Sequence, residues 1–221
     1  MWPQRLRVTL GYPDGLRDVD VEVRGRDAEA TGARGLPAPL FVLPNGRGWA
    51  YGAFLLDRRS LEYLSAHVHV IGDPLTRGAA WVTLWEAVLN GSLAPEAFVS
   101  TVMTALPAET DEQLTSRVLG YLTNAWWRFL PPAGRDARLV ALETLLQTGL
   151  AKAATASQKA SWFGALTDVF ATPTTTAWLR RVWEKHDTIP GLPLAAPDYT
   201  SLALELAVRE VDGWRDILET Q

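Results

Sequence analysis

Histidines, cysteines and converging carboxylates are where a chain can carry out chemistry, and this sequence holds few of them. Two of its three histidines, His67 and His69, flank Val68. Imidazoles can ligate metals or shuttle protons near neutral pH. On a helix, however, residues two apart point about 200° from each other. These two cannot share one ion, and no third ligand stands at a telling spacing. His186, beside Asp187 near the end of a helical stretch, suits the negative end of a helix dipole. With no cysteine, the chain has no disulfide, thiolate metal site or thiol nucleophile. Glu109, Asp111 and Glu112 could serve acid–base work, yet they sit where a helix begins, and there carboxylates cap. Asp73 and Arg77 stand at i, i+4 and are expected to pair along one helix face, worth about 0.3–0.5 kcal/mol when exposed.

The common reactive motifs are missing. There is no His-Glu-x-x-His, no Gly-x-Ser-x-Gly, and no glycine-rich phosphate loop with a following lysine. Gly46, Gly48 and Gly52 have a superficial dinucleotide-binding look, but their context is strand–turn–strand. No residue is therefore assigned to catalysis, cofactor binding or metal ligation, and no cofactor is expected in this chain. The ten tryptophans offer more. Adjacent residues on a helix point about 100° apart, so one of Trp126 and Trp127 is expected in the core and the other open, lining a groove or an interface. Trp178 and Trp183 form a second such pair.

The elements that must position these residues belong to a chain of 221 residues, expected to form one body with a small appendage. Its 21 basic and 25 acidic residues leave a net charge of −4, which gives neither nucleic acid nor an anionic membrane a reason to bind. Arg58–Arg59 and Arg180–Arg181 read as solvated helix faces. The start, from Met1 to Leu6, lacks the apolar core of a signal peptide, and no apolar run approaches the length of a membrane span. The compartment is left open.

The first fifty-odd residues read as strands. Leu6, Val8 and Leu10 alternate with polar residues, as do Val19, Val21 and Val23, and Tyr12-Pro13-Asp14-Gly15 supplies the turn. A second pair is expected from Leu40–Leu43 and Trp49–Leu56 around Pro44-Asn45-Gly46. With a loose edge strand in residues 25–39, four or five strands result. From Asp57 the period becomes helical. Asp57 is a candidate N-cap for a helix over 57–71, and Thr110-Asp111-Glu112-Gln113 fits a capping box. The expected fold is mainly α with a small N-terminal β part: a few-stranded sheet or sandwich remnant over 1–56, then an irregular array of about eight antiparallel helices over 57–221.

One ordered series is more specific. It runs Leu36-Pro37-Ala38-Pro39-Leu40-Phe41-Val42-Leu43-Pro44-Asn45, then Gly48-Trp49-Ala50-Tyr51-Gly52-Ala53-Phe54 and Leu56-Asp57. After it come Asp73 to Arg77, Leu84-Trp85-Glu86, Leu93 to Glu96, and Leu106 to Asp111. The tail, from Gly191 through Asp198-Tyr199-Thr200 to Leu206-Ala207-Val208-Arg209-Glu210, belongs to the same series. Together they resemble the C-terminal half of the zinc aminopeptidases typified by aminopeptidase N. There a β-sandwich hands over to a large helical domain. The likeness runs from about residue 4 to 221, and no single motif in it is decisive.

The resemblance implies a non-catalytic scaffold that covers and restricts the active-site cleft of an enzyme releasing N-terminal residues from peptides. Zinc would sit in that parent enzyme, with its catalytic domain and peptides as partners. The family's His-Glu-x-x-His helix, downstream glutamate and Gly-x-Met-Glu-Asn strand have no counterpart here, since neither Met1 nor Met103 precedes Glu-Asn. The chain alone should be inactive, it reads as truncated at its C-terminal end, and its exposed apolar surface would favour a homodimer. The alternative is a free-standing helical adaptor that binds a peptide or protein. An enzyme of unfamiliar design has the least support.

Overall fold

The computed structural model describes residues 3–221. Met1 and Trp2, part of the start read for a leader, lie outside the described residues. The chain is mainly α with a small N-terminal antiparallel sheet, and it divides into two compact units, Met1–Leu114 and Thr115–Gln221. The change of period at 56–57 falls inside the first unit.

In the first unit β1 (Gln4–Tyr12) and β2 (Gly15–Val23) form the expected hairpin, with Val8 opposite Val19 and Tyr12 opposite Gly15. Gly15 has φ of +138°, a conformation that glycine adopts without strain. Period two sends Leu10, Val19 and Val21 to one face, where Ala30, Ala33 and Leu36 of the following segment pack over them. That segment contributes a 3₁₀ turn at Thr31–Ala33 and no edge strand.

The second hairpin does not form, and three strands in the order β2-β1-β3 make up the sheet among the described residues. β3 (Phe41–Leu43) pairs antiparallel with β1. Its Val42 N–H donates to the Ser60 hydroxyl (2.8 Å), which ties β3 to the first helix. Beyond it, the Asn45 carboxamide both donates to and accepts from Ala50, each at 2.9 Å. This clamp, with Arg47 at φ 63°, closes residues 45–50 into a loop. The Asn-Gly pair therefore builds a side-chain-clasped loop where a two-residue hairpin was expected.

Helix α1 (Arg58–His67) starts on Asp57, whose carboxylate accepts the Ser60 N–H as expected. Leu64 and Val68 are fully buried, and Tyr63 stacks on Phe41 at 5.5 Å, covering the sheet. Gly11 makes room for the Phe41 ring: a Cβ there would lie 2.0 Å from it. Asp73 caps α2 (Pro74–Leu89), and α3 (Pro95–Ala105) follows Pro95. α4 (Glu112–Arg128) is capped by Asp111, which accepts the Leu114 N–H at 2.9 Å. The cap thus sits one residue later than a Thr110 capping box.

The second unit continues with α5 (Pro132–Asp136), α6 (Leu139–Lys152), α7 (Ala156–Val169), α8 (Pro173–Trp183), α9 (Ala196–Val208) and α10 (Trp214–Thr220). Ten α-helices stand among the described residues, where about eight were expected. Two short ones, α5 and α10, make the difference. Leu122, Trp126, Leu142, Leu146, Leu166, Phe170, Leu179 and Leu206 are buried in its core. Each such side chain contributes roughly 1.5–3 kcal/mol. α6 and α7 approach closely at Gly149, where a Cβ would lie 2.4 Å from the Trp162 ring.

Candidate functional site

The residues singled out for chemistry in the first unit are mostly taken up by the fold. His67 is stacked on Tyr63 at 4.5 Å, with its Nδ1 3.1 Å from the Tyr63 carbonyl. His69 lies in the 3₁₀ turn Val68–Val70 beyond it. Asp73 and Arg77 do not form the expected pair along α2. Asp73 instead accepts the Thr76 N–H and hydroxyl, at 2.9 and 2.6 Å, and these donors hold its carboxyl below the ordinary value. Arg77 turns inward to Glu109 in a two-pronged bond of 2.7 and 2.8 Å, and donates to the Ile71 carbonyl at 2.6 Å. Both side chains of that pair are nearly buried, and Glu109, the first cause, raises Arg77 above its usual value. Glu109 also accepts the N–H groups of Thr110 and Asp111. The acidic trio thus divides: Glu109 serves an arginine and a turn, and Asp111 caps. Among the described residues no group of three or more His, Cys, Asp or Glu could hold a metal ion.

What the first unit offers outward is apolar. Trp49, inside the loop that the Asn45 clamp closes, and Tyr51 and Leu55, just beyond it, are 63%, 92% and 67% exposed. On α2, Leu75, Val82 and Leu89 are also exposed. Spaced by seven, they run along one helix face. Tyr51 and Val82 line one shallow cavity of about 290 Å³, so loop and stripe adjoin. The loop is held: its clamp is hydrogen-bonded, and the Arg7 guanidinium lies 3.9 Å over the Trp49 ring.

In the second unit Trp126 is buried and Trp127 is half exposed, the division expected of adjacent tryptophans. The Trp127 indole N–H donates to the Asp168 carbonyl at 2.8 Å, and Arg135 lies 5.0 Å over its ring. Trp127, Asn124, Arg128, Asp168, Glu205 and Arg209 border a cleft of about 590 Å³. Loss of hydration, and then Glu205, push the Asp168 carboxyl up, while Arg209 opposes the rise. Arg209 itself is committed: it donates to the carbonyls of Phe170, Asp168 and Glu205 and to the Glu205 carboxylate, closing the end of α7.

Trp178 borders a second cavity, a trough of about 640 Å³ between α6, α7 and α8 and the segment Thr188–Pro190. It meets Phe163 edge-on at 6.5 Å. Trp183 donates to Gln221 and takes no part in that trough. His186 lies 3.3 Å from Glu184, just past the end of α8. Arg180, expected on a solvated face, bonds Glu184 and the Asp212 carbonyl.

The sequence reading missed Glu143, Lys159 and Asp168. Glu143 left a signal, a carboxylate within the apolar stripe Leu142–Leu146–Leu150. Lys159 and Asp168 left none, because the segments they face are distant in the chain.

No family model and no curated protein sequence matches this chain.

Proposed function

We propose that this chain is the non-catalytic scaffold of a zinc-dependent aminopeptidase that releases N-terminal residues from peptides. It would cover and restrict a cleft whose zinc and reacting groups lie on a separate catalytic body, and it would be inactive alone. The observation that carries this reading is the open apolar face of the first unit. Large apolar side chains scattered singly need no explanation, whereas a stripe along one helix face with an exposed aromatic beside it favours a surface that packs against another folded body. The residue series from Leu36 to Asp111 indicates which body, by its likeness to the point where aminopeptidases pass from sandwich to helical domain. The same face gives a separated chain a surface through which to self-associate.

Immunoprecipitation from source-cell extract with an antibody to this chain, followed by peptide mapping, tests the reading. A band several times heavier than 24.3 kDa, or a co-purifying chain, that contains His-Glu-x-x-His is the expected result. A band at 24.3 kDa with no such sequence beside it overturns the scaffold reading and leaves the free-standing adaptor. Purified alone, the chain should bind no stoichiometric zinc and cleave no aminoacyl amide.

A further inference from the structure

We infer that the trough beside Trp178 is a binding site for a free aliphatic carboxylate, an unbranched apolar chain ending in one negative charge. The inference stands apart from the scaffold reading and holds whether or not the chain belongs to a peptidase.

The volume, about 640 Å³, lies in the range of small-molecule sites. Leu150, Ala151, Ala177, Trp178, Ile189 and Pro190 make its walls apolar. The charged side chains that border it are of one sign. Lys159 and Arg181 are cationic, Gln147, Thr174 and Thr188 are neutral, and no carboxylate is among the lining residues. In a chain of net charge −4, a pocket edged only by positive charge runs against the whole and selects an anion.

Neither cation is fully used by the protein. Lys159 donates one hydrogen bond, to the Leu150 carbonyl at 3.0 Å, and an ammonium carries three donors. Arg181 has only a loose, half-exposed ion pair with Asp187 at 3.6 Å and a long bond to the Ala177 carbonyl. Two cations with donors to spare suit one carboxylate, by charge-assisted bonds. Six of the eleven lining residues are apolar or aromatic, and the Gln147 amide is turned to Thr175, so hydrocarbon is favoured over a sugar or a nucleotide for the body of the ligand. The site is also well founded. Gln147 donates to Thr175 at 3.0 Å, and Thr175 is bonded to the buried Glu143, so the floor beneath Gln147 is fixed.

Titration calorimetry on the full chain tests this with sodium decanoate, and with decanol and a decapeptide of mixed composition as controls. We expect saturable binding of decanoate with one site per chain. Decanol should bind at least tenfold more weakly, and the peptide no more tightly than decanol. Changing both cations (Lys159→Gln with Arg181→Gln) should weaken decanoate about tenfold and leave decanol unchanged. Ala177→Leu, which fills the trough from α8, should abolish both while circular dichroism stays that of the parent. Three outcomes overturn the inference: no saturation by 1 mM decanoate, equal binding of decanoate and decanol, or undiminished decanoate binding by the filled variant. Tighter binding of the peptide than of decanoate also overturns it, and assigns the trough to peptides.

Discussion

Truncating Glu143 to alanine should cost the second unit about 2–3 kcal/mol, and the reasons can be followed bond by bond. Glu143 is 3% exposed on the core side of α6. One of its carboxylate oxygens accepts the Ala171 and Thr172 N–H groups at 2.7 and 2.9 Å, and the other accepts the hydroxyls of Thr172 and Thr175. It therefore holds the entry to α8 from another helix. Losing it leaves two backbone donors without an acceptor, at about 1–3 kcal/mol each where water is excluded. Ala171 is exposed, so water can reach its N–H and lower that share. The two hydroxyls lie 3.1 Å apart and can bond each other. Removing a charge from the interior returns part of the loss. Glu143→Gln should cost only about 1 kcal/mol. Its carbonyl oxygen can keep both N–H groups, and its amide can donate to a hydroxyl while the two hydroxyls bond each other, so what is lost is the charge beside the α8 N-terminus and one acceptor for a hydroxyl. Urea unfolding followed by circular dichroism and tryptophan fluorescence reads both variants. At a typical slope of roughly 2 kcal/mol per molar urea, the alanine variant should shift the transition of this unit by about 1 M. A shift as small for alanine as for glutamine, or a glutamine variant as damaged as the alanine one, refutes the assigned roles of the two oxygens.

Two further outcomes follow from the carboxylates of the first unit. Arg77→Met should destabilise by about 3–5 kcal/mol, because it strands Glu109 as a buried, unpaired charge. Adding Glu109→Leu should recover much of that loss, and a double change as harmful as the sum of the single ones would show that the pair is not coupled. Acid should weaken this unit through Asp57 and Asp73. Both carboxyls are held below their ordinary value of 3.8, first by the hydroxyls of Ser60 and Thr76 respectively and against an opposing effect of burial. A carboxyl depressed in the folded state contributes stability that is present above the unfolded value and lost as pH falls through the folded one. The urea midpoint should therefore drop as pH is lowered from about 4 toward 2. Asparagine also caps but does not titrate, so Asp57→Asn with Asp73→Asn should flatten that drop by lowering the neutral-pH midpoint toward the acid one. An unchanged acid slope would assign the loss to other groups.

The parts of the fold legible in the sequence are those whose partners lie within a few residues. The β1–β2 hairpin is one, because Pro13-Asp14-Gly15 and the period-two valines specify both turn and register locally. The helix start at Asp57 is another, since an N-cap and the N–H it accepts stand three residues apart. The split between Trp126 and Trp127 follows from helical geometry alone. The misreadings share the opposite property. Arg77 has Asp73 four residues away, yet its charge is met by Glu109, 32 positions on. The predicted partner of β3 lay beyond Asn45, while its actual partners are β1 and Ser60. Glu143 reaches Thr172 and Thr175 across another helix, and the trough draws on four separate segments.

A common consequence concerns chemistry. Asp57, Glu109 and Glu143 have both carboxylate oxygens committed to backbone N–H groups, hydroxyls or an arginine, and Asp73 and Asp111 each cap a helix through one oxygen. A reacting carboxylate has to be held in place and yet keep an oxygen open toward substrate, and Asp57, Glu109 and Glu143 are held with both oxygens taken. Besides the cleft that Asp168 borders, two open features are of another kind: an apolar set around α2 and the loop before it, and a trough edged by two cations. Both are suited to binding, the first to a folded surface and the second to a small amphiphile. The two binding proposals rest on what is open at these two places, not on a lack of reactive groups.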